Sequence, residues 1–143
     1  MKHVWSVICQ SSSIDFERNS LSLFNCVEEV SIVVKKDKQI NSDKIFIPSE
    51  FQLLSYWSVD NLEEEKNIDL RCEMFNGDNE LLSVFNNSLV VKKGAPRFRS
   101  RINIKGIPVK GQGRYYFKVW QKISEGDYEL ISEIPLDVKL KEG

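Results

Sequence analysis

The chain has 143 residues, 41% of them hydrophobic and 29% charged, with a formal net charge of -1. This fits one globular domain over 1-143 that buries roughly 68 to 70% of its unfolded surface, and it excludes a disordered chain. No run approaches the roughly 18 apolar residues of a spanning helix, so no membrane association is expected.

The opening "MKHVWSVICQSSS" has an apolar run only from Val4 to Cys9, too short for a secretory core, and the expected location is cytoplasmic. A first strand is predicted near 3 to 10. It carries His3, the chain's single histidine, and Cys9, which lie six residues and so roughly 20 Å apart on one strand, too far for a catalytic pair. Cys9, Cys26 and Cys72 are an odd, scattered set without a C-x-x-C pair, and read as small reduced hydrophobes rather than metal or redox groups.

A second strand is predicted over 20 to 34, with a competing short helix at Phe24 to Val30. The third, 51 to 59, aligns Trp57 with Phe51, Leu53 and Val59 on one face. After it "DNLEEEK" reads as a solvated loop or short helix at Asn61 to Lys66, and neither its acids nor Glu28-Glu29 form a metal or acid-base motif.

Strands 67 to 75 and 80 to 91 follow, joined at "NGDN" so that Met74 opposes Leu81 and Leu70 opposes Phe85, or else by a two-residue Asn-Gly turn. Asn86-Asn87-Ser88 matches a glycosylation acceptor, a match without consequence in a cytoplasmic protein. Strand 97 to 105, "RFRSRINIK", places Arg97, Arg99, Arg101 and Lys105 in one basic row and Phe98, Ile102 and Ile104 on the other face.

In "GQGRYYFKVW" the strand 114 to 123 begins after a glycine-rich turn. Tyr115, Phe117 and Val119 form one face, and Tyr116, Lys118 and Trp120 the other. The "SEGD" loop predicts a hairpin to strand 128 to 140 in which Ile123 meets Tyr128, Lys122 meets Glu129, Trp120 meets Ile131, Lys118 meets Glu133 and Phe117 meets Ile134.

About eight short antiparallel strands predict an all-β, immunoglobulin-like two-sheet sandwich with at most one or two short helices, a barrel being second. Tyr115 stands where such sandwiches keep a corner tyrosine, and Trp57 where the third strand keeps its core tryptophan. Phe117 replaces the expected cysteine, so no antibody-type disulfide is expected. The stretches "VICQSSSIDFERNSLSLFNCVEEVSI", "IDLRCEMFNGDNELL" and "INIKGIPVKGQGRYYFKVW", with the ending "ISEIPLDV", resemble an uncharacterised bacterial family of small immunoglobulin-like sandwiches. That resemblance implies the fold and carries no activity or site residues.

With the third strand beside the last two, one outward face gathers Leu54, Tyr56, Tyr116, Trp120 and Ile131, with Lys118 and Lys122 as a polar rim. So much outward apolar surface predicts a non-enzymatic module docking a protein partner or a second copy, unless a loop or the segment around 36 to 50 covers it. The alternative is a polyanion, such as nucleic acid, on the Arg97, Arg99, Arg101 and Lys105 row. No catalytic residue, metal or cofactor is expected.

Overall fold

The computed structural model describes residues 1–34 and 44–142. Among them nine strands run in chain order: β1 (Lys2–Asp15), β2 (Ser20–Cys26), β3 (Glu29–Val34), β4 (Ile45–Ser58), β5 (Lys66–Phe75), β6 (Leu81–Val91), β7 (Arg97–Val109), β8 (Gly113–Ile123) and β9 (Glu129–Glu142). They form two sheets, ordered β2-β1-β4-β7 and β3-β9-β8-β5-β6. This is an immunoglobulin-like β-sandwich: β9-β8-β5-β6 is its G-F-C-C′ run, and β1-β4-β7 its A-B-E run. All pairs are antiparallel except β3 with β9.

The period-two alternation drives this assembly, because each strand has an apolar side that only a facing sheet can hide. Leu53 and Trp57 from β4, Leu70 and Met74 from β5, and Tyr115 and Phe117 from β8 are at most 2% exposed. The indole N–H of Trp57 still finds a partner across the core, donating to Gln121 Oε1 at 2.8 Å. Tyr115 closes the expected corner. Its hydroxyl donates to Gly111 O at 2.7 Å and accepts from Lys110 N–H at 2.8 Å.

The predicted strand 20 to 34 is two strands in different sheets. Asn25 takes a left-handed conformation (φ 53), Val27 N–H donates to Ile8 O on β1, and Glu28 O accepts from Asp137 N–H on β9. The chain therefore changes sheet within two residues, and Phe24 to Val30 is not a helix. Asn61 to Glu65 is likewise a loop, leading into β5 at Lys66.

This extra strand also shifts the assignment of Trp57. It is core, as expected, but β4 pairs with β1 and β7, and it is β5 that lies beside β8. The predicted neighbourhood of strand 51 to 59 with the last two strands is thus incorrect.

Bulges adjust both hairpins. Lys118 does oppose Glu133 and Phe117 does oppose Ile134, but a shift between Val119 and Trp120 places Leu130, not Ile131, opposite Trp120 and Glu129 opposite Gln121. At the other turn Met74 opposes Ser83 and Leu70 opposes Asn87, two residues beyond the predicted partners, so the inward faces are preserved. Asn76 explains that turn: its Oδ1 accepts from the amides of Asp78 and Glu80, holding a longer loop than Asn-Gly alone would make.

Candidate interaction surface

The outward side of the five-stranded sheet is a grid of three rows. Leu130, Trp120, Arg71 and Asn86 make one; Glu133, Lys118, Glu73 and Val84 the next; Pro135, Tyr116, Phe75 and Leu81 the third. Leu130 and Leu81 are each 43% exposed and Val84 is 36% exposed, while Trp120, Tyr116 and Phe75 are half-buried. These side chains face outward because they alternate with core residues on the same strands, as Tyr116 does with Tyr115 and Phe117.

Two ion pairs form within this face, Arg71 with Glu73 and Arg114 with Asp137. Arg71 reaches Glu73 at 3.2 Å, and Lys118 lies between Glu73 and Glu133 with its ammonium 4.7 Å from the Phe75 ring centre. At the rim Arg114 grips Asp137 with two bonds of 2.8 and 3.1 Å. This hydrogen bonding and charge hold the Asp137 carboxyl below its usual range and raise the Arg114 guanidinium. Lys122 lies opposite Asp69 and over the Tyr128 ring at 5.7 Å, rather than opposite Glu129. Two donors at the centre, Trp120 Nε1 and Arg71 Nε, are covered yet have no acceptor among the described residues.

Leu54, Tyr56 and Ile131 do not belong to this surface. Leu54 and Tyr56 point outward from the four-stranded sheet, on the opposite side of the sandwich, because β4 pairs there. Leu54 is only 3% exposed, between Val7 and Arg101. Ile131 is displaced by the bulge and packs against the core. The segment proposed to cover the patch divides: 35–43 lies outside the described residues, and Ile45 to Glu50 belongs to β4 in the other sheet. Sequence reasoning missed Phe75, Leu81, Val84 and Leu130. Phe75 and Leu81 flank "NGDN", and the correct neighbour for β8 would have brought them in.

The basic row forms as expected on the outward side of β7. Arg97, Arg101 and Lys105 are exposed. Arg99 is committed to the turn after β1, donating to Asn19 Oδ1 at 3.2 Å and Asn19 O at 3.0 Å, and Lys105 faces Glu50. Beside Arg99, Tyr56 and Trp5 form a tilted ring pair 5.7 Å apart.

His3 contributes to a polar chain at the core's edge. Its Nε2 is hydrogen-bonded to Ser6 Oγ at 2.7 Å, and Ser6 shares a 2.7 Å bond with Ser55. Burial lowers the imidazole pKa, and the ring lies edge-on to Trp57 at 5.6 Å. Among the described residues no group of three or more His, Cys, Asp or Glu is placed to hold a metal. Compared with known proteins, the chain matches no protein-family model and no curated protein.

Proposed function

We propose that the protein is a non-enzymatic interaction module that docks a second copy of itself through the outward face of the five-stranded sheet. The observation that carries this reading is the run of Leu130, Trp120, Tyr116, Phe75, Leu81 and Val84 around the Arg71–Glu73 and Arg114–Asp137 ion pairs. A two-fold contact requires a self-compatible patch, and a face that carries both signs of charge, with Lys118 between Glu73 and Glu133, meets that requirement. The opposite face, with Arg97, Arg99, Arg101 and Lys105, would repel its own copy. Trp120 and Tyr116 act as anchors, with Lys118 and Lys122 among the polar contacts. The cytoplasmic location and membership of the uncharacterised bacterial sandwich family remain part of this proposal.

The test is Trp120→Ala, followed by sedimentation and by urea denaturation. Self-association should weaken by roughly tenfold or more, with folding little changed. A loss of several kcal/mol of stability with unchanged association would make Trp120 a core residue and defeat the reading.

A second reading rests on the Trp5–Tyr56 ring pair beside the arginines. Cations with stacking rings suit a single-stranded nucleic acid. Binding of mixed oligonucleotides that falls steeply with salt, and is lost in Arg101→Glu, would favour it over self-docking.

A further inference from the structure

Cys9 and Cys26 are scattered in the sequence and directly opposed in the fold, as cross-strand partners on β1 and β2. The bond from Val27 N–H to Ile8 O joins the residue after Cys26 to the residue before Cys9. That pattern makes the cysteines a non-hydrogen-bonded pair, the closer of the two antiparallel kinds, with Cα atoms about 4.5 Å apart and side chains on one face. A disulfide needs Cα atoms about 4.4 to 6.8 Å apart, so the backbone already satisfies it. The neighbouring pair is clamped by Asn25 Nδ2 donating to Gln10 Oε1 at 2.9 Å, which holds the register.

The two thiols differ in access. Cys26 is exposed and Cys9 fully buried. Burial, reinforced by the nearby Cys26, raises the Cys9 pKa, so Cys9 is a poor first nucleophile toward anything in solution. We propose that Cys9 and Cys26 form a reversible dithiol–disulfide site that reacts with low-molecular-weight disulfides. The Cys26 thiolate attacks one sulfur of the small disulfide, forming a mixed disulfide and expelling one thiolate. The Cys9 sulfur then attacks Cys26 Sγ, forming the protein disulfide and expelling the second thiolate. The two protons lost by the cysteines end on the two released thiols, and the small disulfide is the species reduced.

The bridge has a structural consequence. Cys26 is the last residue of β2 before the chain crosses between sheets at Val27 and Glu28, so oxidation fastens that crossing to β1. Cys72 is outside this chemistry: it is fully buried in the core and its pKa is pushed up to about 12.

The test exposes the reduced full chain to oxidised glutathione, quenches with acid, alkylates the remaining thiols and measures intact and peptide masses. Two thiols should be lost together, leaving a chain two hydrogen atoms lighter, a linked peptide pair containing Cys9 and Cys26, and full reversal by dithiothreitol. Cys26→Ser, at an exposed position, should take up no glutathione while folded. Cys9→Ser should stop at the glutathione adduct on Cys26. If Cys9→Ser fails to fold, the wild-type masses still decide. A wild-type chain that retains glutathione on Cys26, or links Cys26 to Cys26 of another copy, overturns the proposal.

Discussion

Tyr115 joins several levels of this molecule through one hydroxyl. Its ring is core, and its oxygen holds both Lys110 N–H and Gly111 O at the entry to β8. Tyr115→Phe keeps the ring and strands those two backbone groups, so urea denaturation should record a loss of about 1 to 3 kcal/mol. His3 gives a second test at this scale. Its folded pKa is lowered, so the unfolded chain binds the proton more readily. Stability should therefore rise with pH between that lowered value and about 6.5, and level off above. Melting curves of His3→Gln should lose the rise near pH 6, while a rise unchanged in the variant would assign it to another group.

At the scale of elements, irregularities decide the arrangement. Pro48 cannot donate to a ladder and sits where the β4 register shifts between Ile47 and Glu50. On β7, Gly106 has φ +103 and lies under the Phe46 ring. An added Cβ would meet Phe46 Cζ at 2.4 Å and Ile47 O at 2.7 Å. Gly106→Ala should therefore cost more than Gly94→Ala, where φ is +79 but nothing lies within 4 Å. Backbone strain alone is worth about 1 to 3 kcal/mol at each, and equal losses by thermal melting would mean the Phe46 contact yields freely.

The same irregularities explain what was legible in the sequence. Alternation and turn residues marked most strand positions, the inward faces and the corner tyrosine, because these depend on local pattern. The split of 20 to 34 left only a change of phase, since the apolar alternation passes from odd positions at Leu21 and Leu23 to even ones at Val30 and Ile32, and that alone does not reveal that the left-handed Asn25 moves the chain to another sheet. The bulge beside Trp120 exchanged Ile131 for Leu130, a shift that hydrophobicity cannot register when both residues are apolar. The opposition of Cys9 and Cys26 depends on hairpin register around residues 16 to 19, which spacing alone does not specify.

At the scale of the whole molecule, the sandwich presents two unlike faces. One sets apolar side chains around the Arg71–Glu73 and Arg114–Asp137 ion pairs, and the other carries the β7 arginines beside Trp5 and Tyr56. Net charge near zero conceals this division, which arises because the basic row and the tyrosine–tryptophan strand belong to different sheets. The most direct test of self-docking is sedimentation of the wild-type chain over rising concentration, beside a Leu81→Lys, Leu130→Lys double variant. Both leucines are exposed, so the variant should melt with the wild type. The wild type should pass from monomer to dimer while the variant stays monomeric. A wild-type chain that remains monomeric throughout, or a variant that dimerises equally, would contradict the account.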